Sequence, residues 1–138
     1  MTIDPMHLPI FGDPRPAEPP APVRAASGLL IVQALLSGAH LVYVSTTTGQ
    51  DLSLFVVPLA LLVWFALSVR AGRDWARLAA GLVGALSLLL TVVVLSSLLD
   101  VVMLSMSTVL IAHAVHLMYC GDVGDYFVPV DADRTERV

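Results

Sequence analysis

The side chains with the greatest potential for chemistry in this sequence are histidines and a cysteine. His113 and His116 lie three positions apart, which on a helix places both imidazoles where they could ligate a metal ion or a haem iron. Cys120 follows His116 by four positions, a spacing at which a thiolate and an imidazole could meet. We find no Asp, Glu or further His at the level of the two histidines, and no third partner for the thiol. The sequence therefore predicts no catalytic residue, no metal site and no cofactor.

The composition places most of the chain in lipid. Of 138 residues, 57% are hydrophobic and only 13% are charged, and the mean hydropathy is +0.86. A water-soluble domain of this length needs more polar groups to cover its surface. All 7 positive charges are arginines and the formal net charge is −4, which argues against nucleic acid as a partner. The single cysteine excludes an internal disulfide.

Four apolar segments have about the 20 residues that a transmembrane helix requires. They cover about 26–46, 52–69, 75–96 and 100–119, within a membrane domain of residues 25–120. Residues 78–119 would form one helix of about 63 Å, twice a membrane thickness, so the chain must fold back near Ser96–Asp100. We also expect Pro58 to bend the second helix. The predicted fold class is an all-α membrane protein with four transmembrane helices in an up-down bundle.

The arginines predict the orientation of this bundle, because loops that carry positive charge stay in the cytoplasm. All seven fall before the first helix, between the second and third, or after the fourth: Arg15, Arg24, Arg70, Arg73, Arg77, Arg134 and Arg137. We therefore predict a multi-pass protein of the plasma membrane with both termini cytoplasmic. A cleaved signal peptide at residues 28–39 is the alternative for the first helix, but the long proline-rich segment before it is untypical of such peptides.

The two tails differ in character. Residues 1–24 hold seven of the nine prolines, which favours an extended cytoplasmic segment that is either disordered or docked on a partner. Docking is favoured by four apolar residues in this segment, Met6, Leu8, Ile10 and Phe11. Residues 121–138 form an acidic cytoplasmic tail, in which we expect Tyr126 and Phe127 to rest at the membrane surface.

Polar residues at membrane depth are the first place to look for function. Here they are Gln33, His40, His113 and His116. At about 1.5 Å per residue, Gln33 lies level with His113, which predicts a hydrogen bond between the first and fourth helices. His40 lies about 11 Å from that level, too far to share a metal or haem with His113. Its predicted neighbours are Thr91, Ser105 and Ser107.

Small residues recur at helical spacing on three of the predicted helices and indicate close helix packing. The first helix offers Ala34 and Gly38; the third offers Ala76, Ala80, Gly84, Ser87 and Thr91; the fourth offers Ser105, Thr108, Ala112 and His116. Two interpretations remain open. These stripes pack inside one bundle, or one of them faces another subunit.

The connection Arg70–Arg77 is the most distinctive segment. We expect Gly72 to end the second helix and Asp74 to cap the third, with Arg70, Arg73, Trp75 and Arg77 at the lipid headgroups. With this connection the chain resembles the broad group of small, mostly uncharacterised four-helix bacterial membrane proteins that carry an Arg-x-Gly-Arg-x-Trp-Ala-Arg loop between helices two and three. The resemblance implies a bundle in the cytoplasmic membrane and implies no activity.

These observations favour a non-enzymatic function. We expect an accessory or scaffold subunit that binds a larger membrane protein complex through its small-residue helix faces and its proline-rich tail. The alternative is a small homo-oligomeric transporter or channel. The expected partners are membrane lipids and the larger complex, with a homo-oligomer possible and nucleic acid excluded.

Overall fold

The computed structural model describes residues 18–120 and 123–127, and this part of the chain is helical with no strand. Its helices are α1 (Ala21–Thr48), α2 (Val56–Arg70), α3 (Asp74–Val93), α4 (Leu98–Tyr119) and the short α5 (Gly124–Phe127). A 3-10 turn (Ser53–Phe55) precedes α2 and extends that helix into an apolar segment of 18 residues. Four helices are therefore long and apolar enough to cross a membrane, which confirms the predicted all-α class and its four membrane-spanning helices.

The start of α1 differs from the prediction. α1 begins at Ala21, whereas the sequence predicted an extended tail through residue 24. Pro22 is compatible with this start because it lies in the first turn, where a backbone N–H has no partner within the helix. The Arg24 N–H closes the turn by donating to the Pro20 carbonyl at 3.0 Å. The predicted docking peptide of residues 6–11 lies outside the described residues.

Pro58, at which we expected a bend, is the third residue of α2. Its missing N–H therefore costs the helix little. A 3-10 turn lies directly before the helix. Asp51 supports this turn, because its Oδ1 accepts the Ser53 N–H at 3.0 Å.

The hairpin between α3 and α4 lies where the sequence predicted a reversal, with α3 ending at Val93 and α4 beginning at Leu98. Ser97 and Asp100 form a reciprocal capping box. The Asp100 N–H donates to Ser97 Oγ at 3.2 Å, and the Ser97 N–H donates to Asp100 Oδ2 at 2.8 Å. These bonds satisfy backbone donors that would otherwise be unpaired at the first turn of α4.

Each of the four long helices packs against two others. α1 contacts α2 and α4, and α3 also contacts α2 and α4. The small residues of α3 lie in the interior, where Ala76, Ala80, Gly84 and Ser87 are buried. At Gly84 the helices approach so closely that an added Cβ would lie 3.0 Å from Ile111 Cγ2. On α1, Ala34 is buried and Gly38 is half-buried.

Candidate functional site

A contact between His40 of α1 and Asp100 of α4 is the main polar feature inside the bundle. His40 Nε2 lies 2.9 Å from Asp100 Oδ1, and the two side chains are only 13% and 6% exposed. His40 is about 12 Å from the end of α1 at Thr48, and Asp100 lies in the first turn of α4. The pair therefore fixes the first turn of α4 against the C-terminal half of α1.

Asp100 uses both of its carboxylate oxygens. Besides the bond from Ser97, Oδ2 accepts the Ser96 N–H at 2.9 Å and the Ser96 hydroxyl at 3.1 Å. The sequence predicted only a capping role for Asp100 and did not pair it with His40. The pair could have been predicted from one rule: ionisable groups inside a membrane protein usually bond to one another. Asp100 is the acidic residue whose predicted depth is closest to that of His40.

Gln33 bonds within its own helix and not to His113, contrary to the prediction. Its Nε2 donates to Ser37 Oγ at 2.8 Å, and the residue is only 2% exposed. The amide oxygen Oε1 is buried and accepts no hydrogen bond from the described residues. Ser87 Oγ on α3 is also buried without a partner in this part of the chain. Leaving such atoms unsatisfied is costly in an apolar environment.

A cavity of about 60 Å³ lies inside the bundle, next to the His40–Asp100 pair. Its polar lining consists of Gln33, Ser37, His40, Ser87, Thr91, Asp100 and Ser107. Most of the remaining lining is Leu, Val and Met. Of the predicted neighbours of His40, Thr91 and Ser107 line the same cavity, whereas Ser105 is exposed and does not. Within residues 18–120 and 123–127, no cluster of three or more His, Cys, Asp or Glu could hold a metal ion.

The predicted small-residue stripe of α4 lies on the exposed side of the helix, together with His113. The exposed residues are Ser105, Thr108, Ala112, His113 and His116. The two hydroxyls donate within the helix, to the Val101 and Leu104 carbonyls, each at 2.8 Å. His113 and His116 have no hydrogen-bond partner in the part of the chain that the structure describes. The α4 stripe therefore does not pack inside the bundle as the α3 stripe does.

The arginines near the α2–α3 connection also depart from the prediction that all of them face lipid headgroups. Arg70 is exposed, but Arg73 is only 6% exposed, and this burial lowers the pKa of its guanidinium. Arg77 Nη1 donates to the Met118 carbonyl at 3.3 Å, and the same side chain pairs with Asp74. Trp75 is 43% exposed, as a residue at the headgroup level would be, and its ring meets Phe65 edge-on.

The end of the described chain packs onto this connection. The Tyr126 hydroxyl donates to the Arg70 carbonyl at 3.0 Å, and its ring lies against Gly72, where an added Cβ would be 3.2 Å away. Gly72 has φ +78°, a backbone conformation that favours glycine. Phe127 is only 4% exposed, and its ring lies 4.2 Å from the Arg77 guanidinium carbon. Tyr126 and Phe127 therefore hold α5 against the bundle, a contact that the sequence did not predict.

Comparison with known proteins adds no functional assignment to this geometry. The chain matches no protein-family model, no curated protein and no solved structure.

Proposed function

We propose that this protein is a non-catalytic accessory or scaffold subunit that binds a transmembrane helix of a larger membrane complex through the outer face of α4. The observation that carries the proposal is His113, an exposed imidazole without a hydrogen-bond partner in the described chain. It lies about 9 Å from the end of α4 at Tyr119, within the hydrocarbon depth of a bilayer. A polar group at this depth is costly against lipid and is stabilised by a bond to another helix.

The rest of this face suits a close helix contact. Ala112 has a small side chain beside His113, and the hydroxyls of Ser105 and Thr108 are satisfied within α4. A partner helix could approach the α4 backbone there without leaving those hydroxyls unpaired. The proline-rich residues 1–17 would supply a second contact in the cytoplasm.

The proposed orientation is an up-down bundle in the plasma membrane with both termini cytoplasmic. Contacts of Tyr126 with Gly72 and of Arg77 with Met118 support it, because they join the end of α4 to the α2–α3 connection. The same end of the bundle carries Arg70 and Arg73. Retention of positive charge in the cytoplasm favours this end as the inner one.

A second candidate, a small homo-oligomeric transporter or channel, is favoured by one observation. The cavity beside His40 and Asp100 places a paired acid and base inside the bundle, as substrate pathways often do. The two candidates differ in what accompanies the protein after purification.

The test is purification of the tagged chain from its native membranes in mild detergent. Ala112→Trp places a bulky side chain on the proposed face, and Leu89→Trp does the same on the outer side of α3, where Leu89 is 64% exposed. We expect a distinct partner protein with the unmodified chain and with Leu89→Trp, and its loss with Ala112→Trp. A homogeneous self-assembly that conducts solute in liposomes would support the transporter and contradict the accessory role.

A further inference from the structure

Two polar atoms in the lining of the cavity beside His40 and Asp100 have no hydrogen-bond partner among the described residues. They are Gln33 Oε1, from α1, and Ser87 Oγ, from α3, and the two residues are 2% and 8% exposed. Buried polar atoms in proteins are nearly always satisfied, so these two atoms indicate a ligand in the cavity.

The bonds around the cavity favour a neutral ligand. His40 and Asp100 are the ionisable residues of its lining, and His40 Nε2 lies 2.9 Å from Asp100 Oδ1. The second oxygen of Asp100 accepts bonds from Ser96 and Ser97. Both carboxylate oxygens therefore already have partners, and an ion would lose its hydration without a free charged group to replace it.

A hydroxyl group has the chemistry that the two unsatisfied atoms require. Its O–H can donate to Gln33 Oε1, and its oxygen can accept from the Ser87 hydroxyl. Apolar side chains such as Leu36, Leu59 and Met103 make up most of the lining. They favour a ligand whose hydroxyl is attached to a hydrocarbon group rather than a cluster of water molecules. The volume of about 60 Å³ admits a hydroxyl and its first carbons, and the cavity is partly open, so a longer chain can extend from it.

We propose that this cavity binds the hydroxyl end of a neutral, lipid-soluble alcohol. The site is separate from the outer face of α4, and its occupancy does not depend on a partner protein.

The test uses the full chain in detergent micelles and a photoactivatable probe, an octanol that carries a diazirine. The matched control is the methyl ether of the same probe, which cannot donate to Gln33. We expect the alcohol to label residues of the cavity lining, as located by mass spectrometry, and the ether to label them about two- to tenfold less, the effect of one lost hydrogen bond. Unlabelled 1-octanol should compete with the probe and 1-methoxyoctane should not.

Two variants test the assigned polar groups. Gln33→Met removes the acceptor at similar size, and Ser87→Ala removes the hydroxyl; each should lower labelling about two- to tenfold. Ser68→Ala is the control, because Ser68 is a buried serine of α2 that bonds to the Trp64 carbonyl and lies outside the cavity lining. Should a variant fail to fold, the competition between alcohol and ether on the unmodified chain decides the question.

Three results would overturn the proposal. Equal labelling by alcohol and ether would show that the hydroxyl is not recognised. Labels confined to the outward, lipid-facing side chains would show that the probe does not enter. Absence of any competable label at the cavity would mean that solvent water alone satisfies Gln33 and Ser87.

Discussion

At the scale of single residues, Asp100 serves two helices at once. One oxygen of its carboxylate receives His40 from α1, and the other caps α4 through Ser96 and Ser97. Because the cap bonds hold the carboxylate in place, less conformational freedom is lost when His40 pairs with it. The hairpin and the α1–α4 contact are therefore coupled through one side chain.

This coupling predicts a measurable interaction energy. In a double-mutant cycle of His40→Leu and Asp100→Asn, we expect a coupling energy of about 0.6–2 kcal/mol. It is obtained from the free energies of unfolding in mixed detergent micelles. The control cycle pairs Asp100→Asn with His113→Leu, since His113 faces outward, and should give a coupling near zero. Equal couplings in the two cycles would contradict the assigned pair.

Single-residue prediction from the sequence was correct for the burial of Gln33 and wrong for its partner. Gln33 was expected to face protein, and it does. The predicted partner, His113, is exposed, because rise along a helix gives depth but not the direction in which a side chain points. The sequence predicted only a capping role for Asp100, because an acidic residue at the start of a helix is usually a cap. That role uses one carboxylate oxygen and does not identify a partner for the other.

At the scale of elements, α3 and α4 carry similar small-residue stripes and use them differently. On α3 the stripe is buried at Ala80 and Gly84, whereas on α4 its counterparts Thr108 and Ala112 are exposed. In lipid, apolar residues are tolerated on both sides of a helix, so hydrophobic periodicity does not reveal which side packs. The four helices could therefore be predicted from length and composition, but the face that each presents to its neighbours could not.

The α3 contact predicts opposite effects at two glycines of the same helix. Gly84→Leu should lower the free energy of unfolding by about 1–3 kcal/mol, because its side chain would collide with Ile111. Gly81→Leu should be neutral or stabilising by up to about 1 kcal/mol, because an added Cβ there meets nothing within 4 Å and leucine favours helix. Similar destabilisation at both positions, measured in mixed micelles, would contradict the packing of α3 against α4.

At the scale of the whole molecule, the two ends of the bundle differ in charge and in construction. The end that carries the α2–α3 connection has Arg70, Arg73 and Arg77 and is closed by α5. The opposite end has Gly49, in a left-handed conformation of φ 69°, at the end of α1 and the capped hairpin before α4. The contribution of Tyr126 and Phe127 to the first of these ends was not predicted from the sequence.

The orientation predicts which end an impermeant thiol reagent reaches in intact cells. In a Cys120→Ser background, Thr48→Cys should react from outside, because Thr48 is exposed at the end of α1. Ala71→Cys should react only after the membrane is permeabilised. Ala71 is preferable to Gly72 for this purpose, since Gly72 has a positive φ and contacts Tyr126. The reverse pattern of labelling would invert the assigned topology.

The most direct measurement of the proposed role is photo-crosslinking in native membranes from benzoylphenylalanine placed on α4. At position 113 we predict a covalent adduct with a different membrane protein, and at position 82, an outward site on α3 where Leu82 is 63% exposed, we predict none. Adducts from position 113 that contain only lipid or a second copy of this chain would contradict the accessory role.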